Sequence, residues 1–206
     1  MRRMAPVLAL TLLALAGCGQ PERPYRPQEA PSPARTSSTT QPPDDTADEA
    51  LPAGPQTVQI ADGLRARIEW PADPDPLMKI MVDQYVGTRR AVAEGESIYD
   101  HNMEYEAEIQ ASEWIRGFVE QDQSMRGVGR VYNLRVVSVV DNKGAQVNAC
   151  IDETGIRVVS AATGKAVPRQ PSLVRAPYAE SVIAHRGDDG VWRIRSYFNP
   201  DERCTR

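Results

Sequence analysis

The chain has 206 residues, a formal net charge of −4 at pH 7 and a hydrophobic share of 41%. An acidic balance of this size argues against a broad nucleic-acid-binding surface, and the length suits one folded domain with extensions rather than two comfortable cores. Three cysteines and two histidines, with no Cys-x-x-Cys pair, make a poor set for zinc or redox chemistry.

The N-terminus carries a positive n-region, Arg2 and Arg3, followed by an apolar run from Ala5 to Ala16. A helix needs about 20 apolar residues to cross a bilayer, so this run predicts a removable export signal. It ends in Leu15-Ala16-Gly17-Cys18, where small residues let a peptidase reach the bond before Cys18 and the thiol can accept a lipid through a thioether. The arrangement resembles the bacterial lipobox. That resemblance implies a signal peptide over residues 1–17 and diacylglycerylation of Cys18, which then opens the mature chain and carries fatty acyl groups of the palmitate kind. Two acyl chains hold a protein stably on a bilayer where one does so only marginally. The expected location is therefore the outer face of the cell membrane, with the membrane engaged through lipid on Cys18.

Residues 18–55 predict the lipidated cysteine plus a disordered tether. Nine of the seventeen prolines lie between 19 and 55, interleaved with Ser37, Ser38, Thr39 and Thr40. So few large apolar side chains cannot offset the entropy of ordering. A flexible coil of this length reaches about 35 Å.

Residues 56–206 predict a globular domain. One or two strands span Thr57–Trp70 around the Asp62-Gly63 turn. Asp75 suits the cap of a helix that accepts Pro76 in its first turn, carries Met78, Met81, Val82, Tyr85, Arg89 and Val92 on one side, and ends at Gly95. A mixed, partly helical connection follows from Glu96 to Ala111. Ser112 is the expected N-cap of the next helix, with Trp114, Ile115, Phe118 and Val119 as its buried stripe. Val128–Val140 is a long strand, Asp141-Asn142-Lys143-Gly144 a turn, and Ala145–Asp152 its hairpin partner. Ile156–Ser160 is a further strand. A last hairpin pairs Tyr178–Arg186 with Val191–Phe198, placing Trp192, Ile194 and Phe198 on one face and Arg193, Arg195 and Tyr197 on the other.

With Cys18 committed to lipid, Cys150 and Cys204 have one intramolecular pairing open to them in an oxidising compartment. Such a bond would staple the C-terminal tail to the sheet.

Five segments carry a wider likeness: the helix around Tyr85, the strand ending Ala149-Cys150-Ile151-Asp152, the Thr163-Gly164-Lys165 turn, Val191-Trp192-Arg193-Ile194, and the terminal Cys204. In these the chain resembles the nuclear-transport-factor-2-like superfamily, more narrowly its small actinobacterial lipoproteins and secreted proteins. The resemblance implies an α+β domain in which N-terminal helices pack in a curved antiparallel sheet, forming a cone with a pocket at its wide mouth.

Tyr85, Tyr99, His101, Met103 and Tyr105 are the candidate pocket residues, and Asp100-His101 beside Tyr99 is the one pair that suggests proton transfer. Adjacent residues do not share a helical face, and a loop Asp-His is more often a solvated turn or cap. No residue is assigned a catalytic role, and no metal or cofactor is expected. The expected function is a non-enzymatic binding or assembly module of the cell envelope with a protein partner. The alternative is a small-molecule binder or polyketide-cyclase-like enzyme using the cone pocket. Buried polar groups converging on a cavity would favour a small ligand, whereas a filled cone with an exposed apolar patch would favour a protein partner.

Overall fold

The computed structural model describes Leu51–Cys204. The signal peptide, Cys18 and the tether up to residue 50 lie outside the described residues. β1 (Gly54–Ala61) and β2 (Leu64–Trp70) form a hairpin over the Asp62-Gly63 turn. β1 takes up Gly54 and Pro55, which the sequence reading placed in the tether. Leu64, Ala66, Ile68 and Trp70 are buried on alternate positions, as a half-buried strand requires.

α1 (Met78–Glu94) starts where the Asp75 carboxylate accepts a hydrogen bond from Leu77 N at 2.8 Å. It stops at Gly95, whose left-handed φ of 76° lets Glu96 N reach Ala91 O. α2 (Tyr105–Val119) begins seven residues before the expected Ser112 cap, with Glu104 at its N-cap. Two facts account for the earlier start. Ala107 and Ala111 extend the stripe of Ile115 and Phe118 backwards, and Glu106 and Glu108 put negative charge in the first turn, where the helix dipole favours it.

β3 (Gln123–Val140) is the spine of the sheet. β4 (Gly144–Asp152) and β5 (Ile156–Ser160) run antiparallel along successive stretches of it, separated by Glu153-Thr154-Gly155. β6 (Tyr178–Arg186) pairs with β4 and β7 (Trp192–Phe198) with β6. The order is β1-β2-β3-β4-β6-β7, with β5 on β3. Register shifts in β3 near Asn133 and Val137, and in β7, bend the strands and curve the sheet.

The expectation of N-terminal helices in a wholly antiparallel sheet is corrected. The β1–β2 hairpin precedes both helices, and β2 pairs with β3 in parallel, Leu64 opposite Gly127. Parallel neighbours need a long crossover, and α1 and α2 supply it. Both helices pack on one face of the sheet, α1 over β3 and over the Val147, Ala149 and Ile151 side of β4 and the Val182 and Ala184 side of β6, and α2 over β7 and β3. The opposite face carries Asn148, Cys150 and Ser181, covered by the C-terminal tail. Cys150 and Cys204 form the expected disulfide, with Cα atoms 5.6 Å apart. In the tail, Glu202 accepts hydrogen bonds from Arg135 at 2.5 Å and Asn148 at 3.4 Å, and Asn199 donates to Ala179 O at 2.9 Å.

Sheet edges are covered by the chain's own backbone. Beside β7, Ile194 N donates to Asn102 O and Glu104 N to Ile194 O, both at 2.8 Å. Beside β5, Ser160 N donates to Lys165 O and Val167 N to Val158 O, and the Gln170 side chain bonds both N and O of Val158.

Candidate functional site

α1 presents Arg89 from its apolar stripe into the space between helices and sheet, where the side chain is 4% exposed. A buried guanidinium needs a counter-charge and hydrogen bonds. Glu153 supplies the charge at 2.9 Å. Tyr178 Oη accepts from Nη2 at 2.8 Å and Thr88 Oγ1 from Nη1 at 3.1 Å. The Tyr85 and Trp114 rings lie against the guanidinium at 4.4 and 4.6 Å, a cation–π arrangement that gains strength when desolvated. Burial works against the charge on Arg89, and Glu153 together with Tyr178, Tyr85 and Glu180 outweighs it, so the guanidinium stays protonated.

Glu153 owes its position to the break between β4 and β5. Asp152 Oδ1 accepts from Thr154 N at 3.0 Å and from Thr154 Oγ1 at 2.6 Å, tying the turn. A Cβ on Gly155 would stand 2.5 Å from Val128 O, so only glycine lets the turn lie this close to β3. Gly129, further along β3, leaves the space that the Tyr85 hydroxyl fills.

On β6, Tyr178 and Glu180 share the helix-facing phase with Val182 and Ala184, since they pair with Ile151 and Ala149 of the core. Tyr178 Oη donates to Glu153 Oε2 at 3.2 Å. Glu180 is 6% exposed, and its Oε1 has no hydrogen-bond partner among the described residues; the same holds for Oε1 of Gln84 on α1. Burial pushes the Glu180 carboxyl above its ordinary 4.5; Arg89 opposes the rise and Glu153 adds to it.

Gln84, Arg89, Tyr178 and Glu180 line one cavity of about 550 Å³. Its other walls are Gln110 and Trp114 of α2, the 172–177 segment with Leu173 and Pro177, and Tyr197, Phe198 and Asn199. The sequence reading turned Tyr197 away from Ile194, and the structure corrects this. A register shift between Ile183 and Ala184 leaves Arg195 unpaired, so Tyr197 pairs with Val182 and joins the helix-facing side. Phe198 moves to the other phase and is half exposed.

The residues expected at a pocket do not share one site. Tyr85 is buried beneath Arg89, and Met103 is buried beside β7. Tyr105 is 74% exposed at the start of α2. Tyr99 and His101 line a second cavity of about 740 Å³ between β1, α1 and the 96–101 segment. There Tyr99 Oη donates to Asp83 O at 3.2 Å, and burial, with Asp83 adding to it, pushes its pKa up to about 12. His101 and Asp100 are exposed, and Lys79 and Asp83 pair with each other at 2.6 Å. The second cavity is larger, and its wall includes Trp70, whose Nε1 is a buried donor without a partner among the described residues; the first gathers two such atoms, both acceptors, on Gln84 and Glu180. Among the described residues no three His, Cys, Asp or Glu side chains gather as metal ligands.

Sequence reasoning placed Arg89 in the helix stripe without asking what would neutralise it. It passed over Glu180, although a carboxylate in phase with Val182 and Ala184 is a readable signal of a buried acid.

Among solved structures, one from Catenulispora acidiphila is similar over 60% of this chain and 90% of that one, at 11% identity and a TM-score of 0.35. Another from the same organism, in complex with S-DNPA, covers 60% and 91% at 12% identity and 0.35. A ketosteroid isomerase-like protein from Erwinia carotovora atroseptica covers 60% and 94% at 14% identity and 0.34. No protein-family model and no curated protein matches the chain.

Proposed function

We propose that this chain is a lipid-anchored protein of the outer face of the cell membrane whose α+β domain, a cone of the nuclear-transport-factor-2-like kind, binds a small organic ligand between α1, α2, β6 and β7. One observation carries the ligand reading: Gln84 Oε1 and Glu180 Oε1 are buried and without a hydrogen-bond partner among the described residues, and both residues line the same cavity of about 550 Å³. A buried polar atom left without a hydrogen bond costs about 1–3 kcal/mol, and a ligand that supplies donors recovers that cost. The volume lies in the range of small-molecule sites, which combine apolar walls with a few placed polar groups.

The assembly reading has less to support it. The exposed large apolar side chains among the described residues are spread over the 96–104 connection (Ile98), α2 (Tyr105, Ile109), β3 (Val128, Val137, Val140), the last turn (Val191) and β7 (Phe198). The test is saturation-transfer NMR of the full chain, extracted in detergent, against a library of amphipathic fragments, repeated with Glu180→Leu and Gln84→Leu. The expected result is a set of fragments whose signal falls in both variants. A library in which no fragment binds, or in which binders ignore both substitutions, overturns the proposal.

A further inference from the structure

The proposed cavity holds an unequal set of charges and donors. Arg89 and Glu153 cancel each other at 2.9 Å, and the guanidinium is already engaged by Tyr178, Thr88 and two aromatic rings. An anionic ligand would therefore find Arg89 occupied, and would face two acceptor oxygens, on Gln84 and Glu180, that repel it. Trp114, Tyr178 and Tyr197 add ring surface to the walls, and ring faces attract cations. Glu180 remains the chargeable group without a counter-ion or a hydrogen bond to its Oε1 among the described residues.

We propose, building on the ligand reading above, that the cavity selects an organic ammonium: a protonated primary amine on an apolar or aromatic body, its N–H donors directed to Glu180 and Gln84. An ammonium has three donors and no acceptor, which matches two waiting acceptors, and its charge completes a pair with ionised Glu180 that neither partner could sustain buried alone. Because burial raises the Glu180 carboxyl of the empty site above its ordinary value, entry of the cation releases a proton wherever that carboxyl still holds one, and affinity rises with pH until the empty site's carboxyl is itself ionised. The groups that face Glu180 and set this balance are Arg89 and Tyr85 of α1, Glu153 of the β4–β5 turn, Tyr178 of its own strand and Tyr197 of β7.

Tryptamine and tryptophol, which differ in ammonium against hydroxyl on the same indole body, test this on the full chain by calorimetry at pH 5, 6, 7 and 8. The expected result is a preference for tryptamine of about tenfold or more at pH 8, equivalent to about 1.4 kcal/mol, shrinking as the pH falls, while tryptophol affinity stays flat. In Glu180→Gln, which mimics the neutral carboxyl in size and keeps the fold, the preference should drop to within about threefold. Buffers of different ionisation heat should report up to one proton released by tryptamine and none by tryptophol. Equal binding of the two probes by the wild-type chain, or a preference that survives Glu180→Gln, overturns the ammonium assignment and leaves the ligand pocket standing. If neither probe nor any library fragment binds, both proposals fail together.

Discussion

Arg89 shows how one side chain can be readable by position and opaque in consequence. It falls on the same stripe as Met81, Tyr85 and Val92, so its burial follows from helical periodicity. Its partner Glu153 lies 64 residues away, on a turn whose inward tilt no local pattern announces. Breaking the pair leaves a carboxylate that is 0% exposed without compensation, a change that costs about 3–5 kcal/mol. Arg89→Leu should lose that much in urea denaturation, and Arg89→Leu with Glu153→Leu should recover most of it. A single variant within about 1 kcal/mol of wild type would show that the pair does not act as described.

Glu180 gives a pH signature of opposite sign to that of most carboxylates. Its native pKa lies above the ordinary 4.5, so the native state holds the proton more tightly than the unfolded chain. Its contribution to stability is full below 4.5 and is lost as the pH climbs through the raised native value. Relative to Glu180→Gln, the wild-type chain should therefore weaken from pH 4.5 upward in urea midpoints measured in steps to pH 8. A difference that stays level across this range would remove the buried-acid assignment.

At the scale of elements, the hairpins were legible because turn chemistry and alternation agree. Asp141-Asn142-Lys143-Gly144 separates β3 from β4, and Gly187-Asp188-Asp189-Gly190 stands ahead of β7, where the sequence places them. The start of α2 was not, because an Ala-rich first half carries a weak apolar signal that only contact with the sheet completes. The bulge in β7 was hidden for a different reason. Two-residue alternation has no mark for an extra residue, and Tyr197 changes face because of one.

The C-terminal tail is an element without regular structure, held by its disulfide and by Glu202. A cross-link between residues 54 apart stabilises by about 4 kcal/mol in the chain-entropy model, before native strain. Cys204→Ser should lower the urea-derived stability by up to that amount and raise hydrogen exchange at Asn148 and Ser181, which are buried on the tail side. Unchanged exchange there would mean that the tail stays in place without its bond.

For the whole molecule, the α+β class and the two hairpins of the C-terminal half could be read from sequence, but the pairing of β4 with β6, the place of β5 on β3 and the parallel join of β2 to β3 could not. It is decided by where the chain returns after its helices, a long-range matter that composition does not record. The address at the membrane rests on Cys18 and remains our proposal. Cys18→Ser should move the protein from the detergent phase to the aqueous phase in cloud-point partitioning. A wild-type chain that stays aqueous would remove the anchor.

The covered flanks of the sheet bear on how copies can meet. Asn102–Glu104 takes up the amide and carbonyl of Ile194 on the open side of β7, and Lys165–Val167 with Gln170 takes up those of Val158 and the amide of Ser160 on that of β5. Among the described residues this leaves two margins without a neighbouring strand: β1, which opens on Gly54-Pro55, where a proline has no amide hydrogen to give, and residues 134–140 of β3, beyond the point where β2 stops pairing at Val131. Crowded at one surface, such molecules could zip strand to strand only through β1 and the far end of β3, because β5 and the middle of β7 are already taken.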